Sequence, residues 1–359
     1  FVHKCNLLLK IINEKKMKLN YGKSGYMIIN GKQVDLKCHL KLTGGWLLYK
    51  PSQKYLGVII TDSGLLKIDI TSYIDKKNKE INVKLASFVT KHSMLPLPMK
   101  MTVVNACVES ALLFGCESWS NFSIKSVDVL HRKAIKLVMD IFSNTANDIV
   151  YSELGIVGLK PIVMKRQLNF FRKLKQDCAE NPTSTISSIF NSAIRAKIPY
   201  LKHYIQLDDK FETTHQCYNY YVNEERELIV SKIHERLSAN PDSILGTYAR
   251  LNPSLEPSSV CNDYNCNELD RKIISKYRVG NHKLRIQSGR QENIVVEERL
   301  CKCLEAVQTI DHVILNCRLT ENLRIIHDFT NADTIDGIFG DNNHIRLSCV
   351  LRGVEMIMD

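Results

Sequence analysis

The chain has no long apolar run. Its longest apolar stretch, Thr102 to Cys116, is interrupted by Asn105 and Glu109, and it is shorter than the ~20 residues a membrane-spanning helix needs. No signal-peptide pattern is present, so secretion is not expected. The sequence has no glycine-rich nucleotide-binding loop, no array of nuclease-type carboxylates and no Tyr-x-Asp-Asp segment. Chemistry at a transferring phosphate needs carboxylates that hold two divalent ions, so this chain is expected to be inactive alone. Asp208-Asp209 lies far from the strand-rich N-terminal part and reads as an exposed acidic pair at a helix end. Internal repeats and low-complexity tracts are also lacking. Phe stands at position 1, and the sequence is expected to be the downstream part of a longer one.

What is present describes a folded, basic protein. Hydrophobic residues make up 44% and charged residues 24% of 359 positions, ordinary values that argue against general disorder. The length allows two or three domains. Lys and Arg total 49 against 38 Asp and Glu, a net charge of +11. That excess favours a polyanionic partner, nucleic acid before a membrane surface. Several of the twelve cysteines, Cys107 and Cys116 among them, sit inside apolar helical patterns. They read as reduced, buried thiols of a reducing compartment, nuclear or cytoplasmic, rather than a disulfide framework.

The expected fold class is α+β and predominantly helical. Residues 1–65 read as small α/β material: a helical pattern through Leu7, Leu8, Ile11 and Ile12, a strand at 26–29, a hairpin signal at Asn30-Gly31, and a strand from Tyr55 to Thr61. Residues 66–180 carry helical stripes through Ile70, Ile74, Ile81, Leu85 and Phe88, then Val104, Val108 and Leu112, then Val127, Leu130, Ala134, Leu137 and Ile141. These predict a bundle with short connections. Phe114 and Trp119 read as core anchors. Residues 181–268 are a helical connector, with helices over 184–196 and 216–238 and a boundary near 251–259. Residues 269–359 form a small basic module rich in Cys and His.

Two segments are basic and free of acids. Leu159 to Gln176 holds Lys165, Arg166, Arg172 and Lys173, with Phe170-Phe171 among them. Arg271 to Arg290 holds Arg271, Lys272, Lys276, Arg278, His282, Lys283, Arg285 and Arg290. Such cations can track phosphates and release counterions, and arginine can stack on bases. The alternative for each is a solvated helix face. Cys301, Cys303, His312 and Cys317 have C-x-C-x8-H-x4-C spacing. Four soft or borderline ligands in this arrangement suit a tetrahedral structural zinc. A reduced cysteine cluster with His312 facing solvent or core is the alternative.

The order of these pieces resembles the polyprotein of non-LTR (LINE-like) retrotransposons, downstream of its reverse-transcriptase catalytic motif. Asn20-Tyr21-Gly22-Lys23 resembles a turn that places a lysine near the incoming nucleotide. Lys54-Tyr55-Leu56-Gly57 resembles the primer-grip hairpin. Leu112-Leu113-Phe114-Gly115-Cys116-Glu117-Ser118-Trp119 resembles a thumb signature, with Phe114 where Tyr is usual. Arg278-x-Gly280-x-His282 followed by the Cys-Cys-His-Cys set resembles the terminal zinc knuckle, although one residue rather than two separates Cys301 from Cys303. The resemblance implies a palm remnant with a primer grip over 1–65, a thumb over 66–180, the connector, and a zinc-knuckle module over 269–359. Its implied partners are template RNA and primer or target DNA, with magnesium belonging to the complete polymerase only. A stand-alone nucleic-acid-binding protein, or an inactive relic of such an element, is the competing reading.

Overall fold

A computed structural model describes residues 2–28, 39–55, 58–62, 70–118, 124–241, 243–328, 334–340 and 344–359. Contacts divide the chain into two units, Phe1–Glu80 and Ile81–Asp359.

In the first unit, helix α1 (Val2–Glu14) turns Leu9 onto a small sheet. Strand β1 (Gly25–Tyr26) runs parallel to β3 (Gly45–Tyr49), and β2 (Leu40–Leu42) pairs antiparallel with β3, giving the order β1-β3-β2. Leu9, Leu42 and Leu47 form the core, with Leu19, Tyr21 and Tyr26 around it. The predicted strand at 26–29 is shorter than expected, because pairing with β3 ends at Tyr26. Asn30-Gly31 lies outside the described residues. The strand expected from Tyr55 to Thr61 is instead two arms of a hairpin, β4 (Ser52–Tyr55) and β5 (Val58–Thr61). Tyr55 pairs with Val58.

Helix α2 (Ile70–Lys91) spans the division between the units. The second unit is helical. It continues with α3 (Leu97–Val103), a π-helical turn at Val104–Glu109, α4 (Ser110–Leu112), α5 (Lys125–Met139) and α6 (Asn147–Leu154). Then come α7 (Lys160–Glu180), α8 (Thr185–Arg195), α9 (Pro199–Lys210) and α10 (Thr214–Ala239). Helices α11 (Ile244–Leu251), α12 (Ser259–Asn262), α13 (Glu268–Arg278) and α14 (Arg285–Gln291) follow. The chain closes with α15 (Glu321–Ile326), α16 (Ile335–Gly340) and α17 (His344–Met358).

Local chemistry accounts for several of these limits. Ser184 and Thr213 cap α8 and α10, each side-chain oxygen accepting an N–H three residues on, at 3.1 and 3.0 Å. Helix α5 buries Val127, Leu130 and Ala134 as the stripe predicts. It ends at Asp140, whose backbone is left-handed (φ 61°), so Ile141 falls outside the helix. The expected helices over 184–196 and 216–238 are α8 and α10. Helix α9 had no expected bounds, but Asp208-Asp209 occupies its last turn, at a helix end as expected.

Two expectations for side chains are corrected. Cys107 is exposed: the buried face carries Val104 and Val108, as the stripe predicts, and Cys107 lies off it. Phe114 is 47% exposed while Leu112, Leu113 and Cys116 are buried. The helix has ended by then, and the turn at Gly115 (φ 75°) carries Phe114 outward. Trp119 lies outside the described residues.

Buried ion pairs cross the second unit. Glu268 accepts from Lys100 at 2.5 Å and from both Nε and Nη2 of Arg271 at 2.8 Å. Glu153 accepts from Arg278 at 2.7 Å and from the Tyr248 hydroxyl at 3.1 Å. Ser275 and Cys261 lie between the two clusters, with their side-chain O and S atoms 3.5 Å apart. Burying these charges is tolerable only because each is paired. The stretch expected as a boundary lies against α6, where Ser258 N–H donates to the Glu153 carbonyl at 2.9 Å.

Candidate metal centre and basic surfaces

The last core of the second unit gathers side chains from α13 and α17 with Leu284, Ile310, Val313 and Ile314. Cys301, Cys303 and Cys317 belong to that core. A short bridge, Leu300 with Val307, closes the loop that carries the first two. Cys301 N–H donates to the Ala306 carbonyl and Leu304 N–H to the Cys301 carbonyl, both at 2.8 Å. The single residue between Cys301 and Cys303 makes this loop tight, and Leu304 takes a left-handed backbone (φ 66°) to complete it. His312 opens a π-helical turn, His312–Asn316, with its N–H held by Thr309 Oγ1 at 3.1 Å. Cys317 follows in extended backbone, its N–H donating to the His312 carbonyl at 2.7 Å.

Four donor atoms therefore converge. Cys301 Sγ lies 3.7 Å from Cys317 Sγ, and Cys303 Sγ lies 3.2 Å from His312 Nε2. All four lie within 4.8 Å of one another. A tetrahedral ion with bonds of about 2.3 Å to sulfur spaces its sulfurs about 3.8 Å apart. The cluster can therefore hold a metal ion. Its ligand residues are 1%, 1%, 8% and 0% exposed in chain order. Burial pushes the Cys301 thiol up. Burial also acts to raise Cys303, but the Glu305 N–H and the neighbouring cysteines bring it below its ordinary range. Backbone N–H groups thus support the thiolates despite the short spacing, Cys303 serving Cys301 and Glu305 serving Cys303. Burial lowers His312, which favours the neutral imidazole a metal requires.

No protein-family model matches the chain, and no curated protein or solved structure matches it.

The basic residues separate by position. On α7, Lys165 and Lys173 are exposed, Lys165 standing 5.4 Å from the Tyr218 ring centre. Arg166 donates to the Leu113 carbonyl at 3.5 Å. Arg172 is half-buried and binds Asp208 at 2.6 Å, which also holds Lys175 at 2.9 Å. Burial acts to raise Asp208, but these two cations bring it below the usual carboxylate range. Asp208 is thus an ion-pair partner. Phe171 is buried and Phe170 is 45% exposed.

In the second segment the burial is deeper. Arg271 and Arg278 lie in the ion pairs described above, and Arg278 also donates to the Phe339 carbonyl at 3.2 Å. His282 is buried and stacked on Tyr277, ring centres 4.9 Å apart, and neither ring nitrogen has a hydrogen-bond partner. These three residues are interior and present no charge to a phosphate. Lys272 pairs with Asp140 at 3.1 Å, Lys283 with Asp359 at 3.1 Å and Arg285 with Glu292 at 3.1 Å. Arg290 donates to Gln287 at 2.8 Å, and Lys276 is half-buried. Lys283 is the most exposed of the set, Arg285 follows, and Lys272 and Lys276 are half-buried.

In the first unit, Lys23 is exposed on a turn whose N–H donates to Asn20 Oδ1 at 3.0 Å. Lys54 and Tyr55 lie on β4, Lys54 opposite Ile59. Leu56 and Gly57 lie outside the described residues. Sequence reasoning missed the buried acids Glu153 and Glu268, and it missed Arg318 and Arg324, which donate to carbonyls of the ligand residues. Arg318 follows Cys317 directly, a proximity that was readable as a signal. No described helix is long and apolar enough to cross a membrane.

Proposed function

We propose that this chain is the part of a non-LTR retrotransposon reverse transcriptase that follows the catalytic carboxylates, and that it holds template RNA and primer DNA. Lys23 and the β4–β5 hairpin supply the nucleotide-proximal and primer-grip elements in this reading, and α7 supplies thumb-side phosphate contacts. Catalytic magnesium is bound by residues upstream, and the chain alone polymerises nothing. Cys301, Cys303, His312 and Cys317 bind a structural zinc that fastens the terminal core, since three thiolates and an imidazole suit that ion. The convergence of these four side chains supports the zinc part of the reading, and the order of the motifs along the sequence supports the rest.

The test is a salt-titrated binding assay of the purified chain on an RNA–DNA primer–template, with metal content measured on the same sample. Expected are one zinc per chain, lost in Cys301→Ser and Cys317→Ser, and affinity that falls steeply as salt rises. Binding insensitive to salt sinks the phosphate-tracking role. Metal content unchanged by both substitutions removes the zinc centre.

A further inference from the structure

We propose that Arg324 and Arg318 are positioning residues of the metal centre, each fixing the backbone of one thiolate ligand while offsetting the negative charge of the loaded site. This rests on the metal reading above. Three thiolates around a divalent ion leave a net charge of −1, and the cluster is almost sealed from water. A buried net charge is costly unless a counter-charge is held beside it. Two guanidiniums are held there. Arg324 Nη1 donates to the Cys317 carbonyl at 2.9 Å and to Thr320 Oγ1 at 3.1 Å. Thr320 Oγ1 in turn donates to the Val313 carbonyl at 2.6 Å and contacts the Cys317 carbonyl at 3.1 Å. Arg318 Nη2 donates to the Cys303 carbonyl at 3.1 Å.

One arginine therefore serves each half of the site, Arg318 the tight Cys301–Ala306 loop and Arg324 the end of the π-helical turn. They are not equivalent. Arg318 is paired with Glu305 at 3.3 Å and its side chain is 64% exposed, so solvent and the carboxylate blunt its charge. Arg324 is half-buried, and its charge is felt more strongly. The other nearby cation, Lys302, is turned to the Ile357 carbonyl at 3.4 Å. Partners beyond the ligands commonly change metal affinity by about 10–100-fold.

Zinc retention by the full chain is measured against a chromophoric chelator, and cobalt substitution reports the ligand set through its thiolate charge-transfer band. Arg324→Gln is expected to weaken zinc about tenfold while the cobalt band keeps its shape. Arg324→Lys, which keeps the charge, recovers most of the loss, and Arg318→Gln weakens zinc less than Arg324→Gln. Far-UV circular dichroism of the loaded variants checks the fold. Zinc held by Arg324→Gln within twofold of the parent, with Cys317→Ser metal-free, overturns the arginine assignment alone. Failure of Arg324→Lys to recover affinity overturns charge compensation. A parent chain that binds no metal overturns both readings.

Discussion

Two segments of this chain look alike as sequence and differ inside the fold. Residues 159–176 and 271–290 are both dense in Lys and Arg and free of acids. On α7 the cations flank a buried stripe of Val163, Gln167, Leu168 and Phe171; most point to solvent or to Asp208 and Glu224 on neighbouring helices, and Arg166 to the Leu113 carbonyl. On α13 two cations are themselves part of the buried stripe. Arg271, Ile274, Ser275 and Arg278 follow the i, i+3, i+4, i+7 spacing of one helix face, and that face turns inward. Charge density alone does not tell a nucleic-acid surface from an ion-paired core. What separates the two is where the acids lie: near the rim of α7, but in the interior at α13, with Glu268 on that helix and Glu153 facing it.

The largest expected effect follows from that difference. Arg278→Met leaves Glu153 charged, 0% exposed and without its guanidinium, and removing one partner of a buried pair costs about 3–5 kcal/mol. Arg271→Met should cost less, because Glu268, equally enclosed, keeps Lys100 at 2.5 Å as its partner. Arg172→Met on α7 should cost about 1 kcal/mol or less, since its pair with Asp208 is partly solvated. Urea denaturation of the three variants measures the contrast. A loss below about 1 kcal/mol for both α13 variants would abolish the distinction drawn between the segments.

The same contrast shows what the sequence carries. The stripe through Val127, Leu130 and Ala134, the caps at Ser184 and Thr213, and the C-x-C, His and Cys spacing are local patterns, and each has its local structure. Lys100 and Glu268 are 168 residues apart, and nothing in a helical period announces that they meet. Cys107 was misplaced because lying within an apolar helical pattern does not put a residue on its inner face, which Val104 and Val108 take. The metal cluster was legible because its chemistry is set within 17 residues, from Cys301 to Cys317. Of its arginine partners only Arg318, next to Cys317, left a sequence signal; Arg324 did not, because it acts through a backbone carbonyl, which any residue supplies.

His282 sharpens the comparison by pH. Burial is the main cause that lowers its pKa, with Arg290 adding to it, and the group is brought to about 3 from an ordinary 6.5. The folded chain therefore holds it neutral while the unfolded chain protonates it. Its contribution to stability is full above about pH 6.5 and is lost as pH falls toward 3, at up to about 1.4 kcal/mol per pH unit. His282→Leu should have a shallower acid-side stability profile than the parent in chemical denaturation. Parallel profiles for the two chains would mean that His282 is hydrated and titrates normally, and so belongs with the surface residues.

The smallest expected change in stability belongs to the exposed lysines of α7. Lys165→Ala and Lys173→Ala remove side chains already in solvent, so folding stability should stay within about 0.5 kcal/mol of the parent for Lys173→Ala and within about 1 kcal/mol for Lys165→Ala. Their effect should appear in binding instead. Removing one phosphate-neutralising cation lowers the steepness of affinity against salt by about 0.7–0.9 on logarithmic axes. The double variant should bind a primer–template more weakly at low salt and converge with the parent as salt rises. Lys165 has a further constraint that Lys173 lacks: it rests over Tyr218, and a cation–π interaction at an exposed site is worth about 0.5–1 kcal/mol. Lys173→Ala should therefore leave stability the less disturbed of the two. An unchanged salt slope in the double variant would place the nucleic acid elsewhere, with Lys272, Lys276 and Lys283 as the next set to remove.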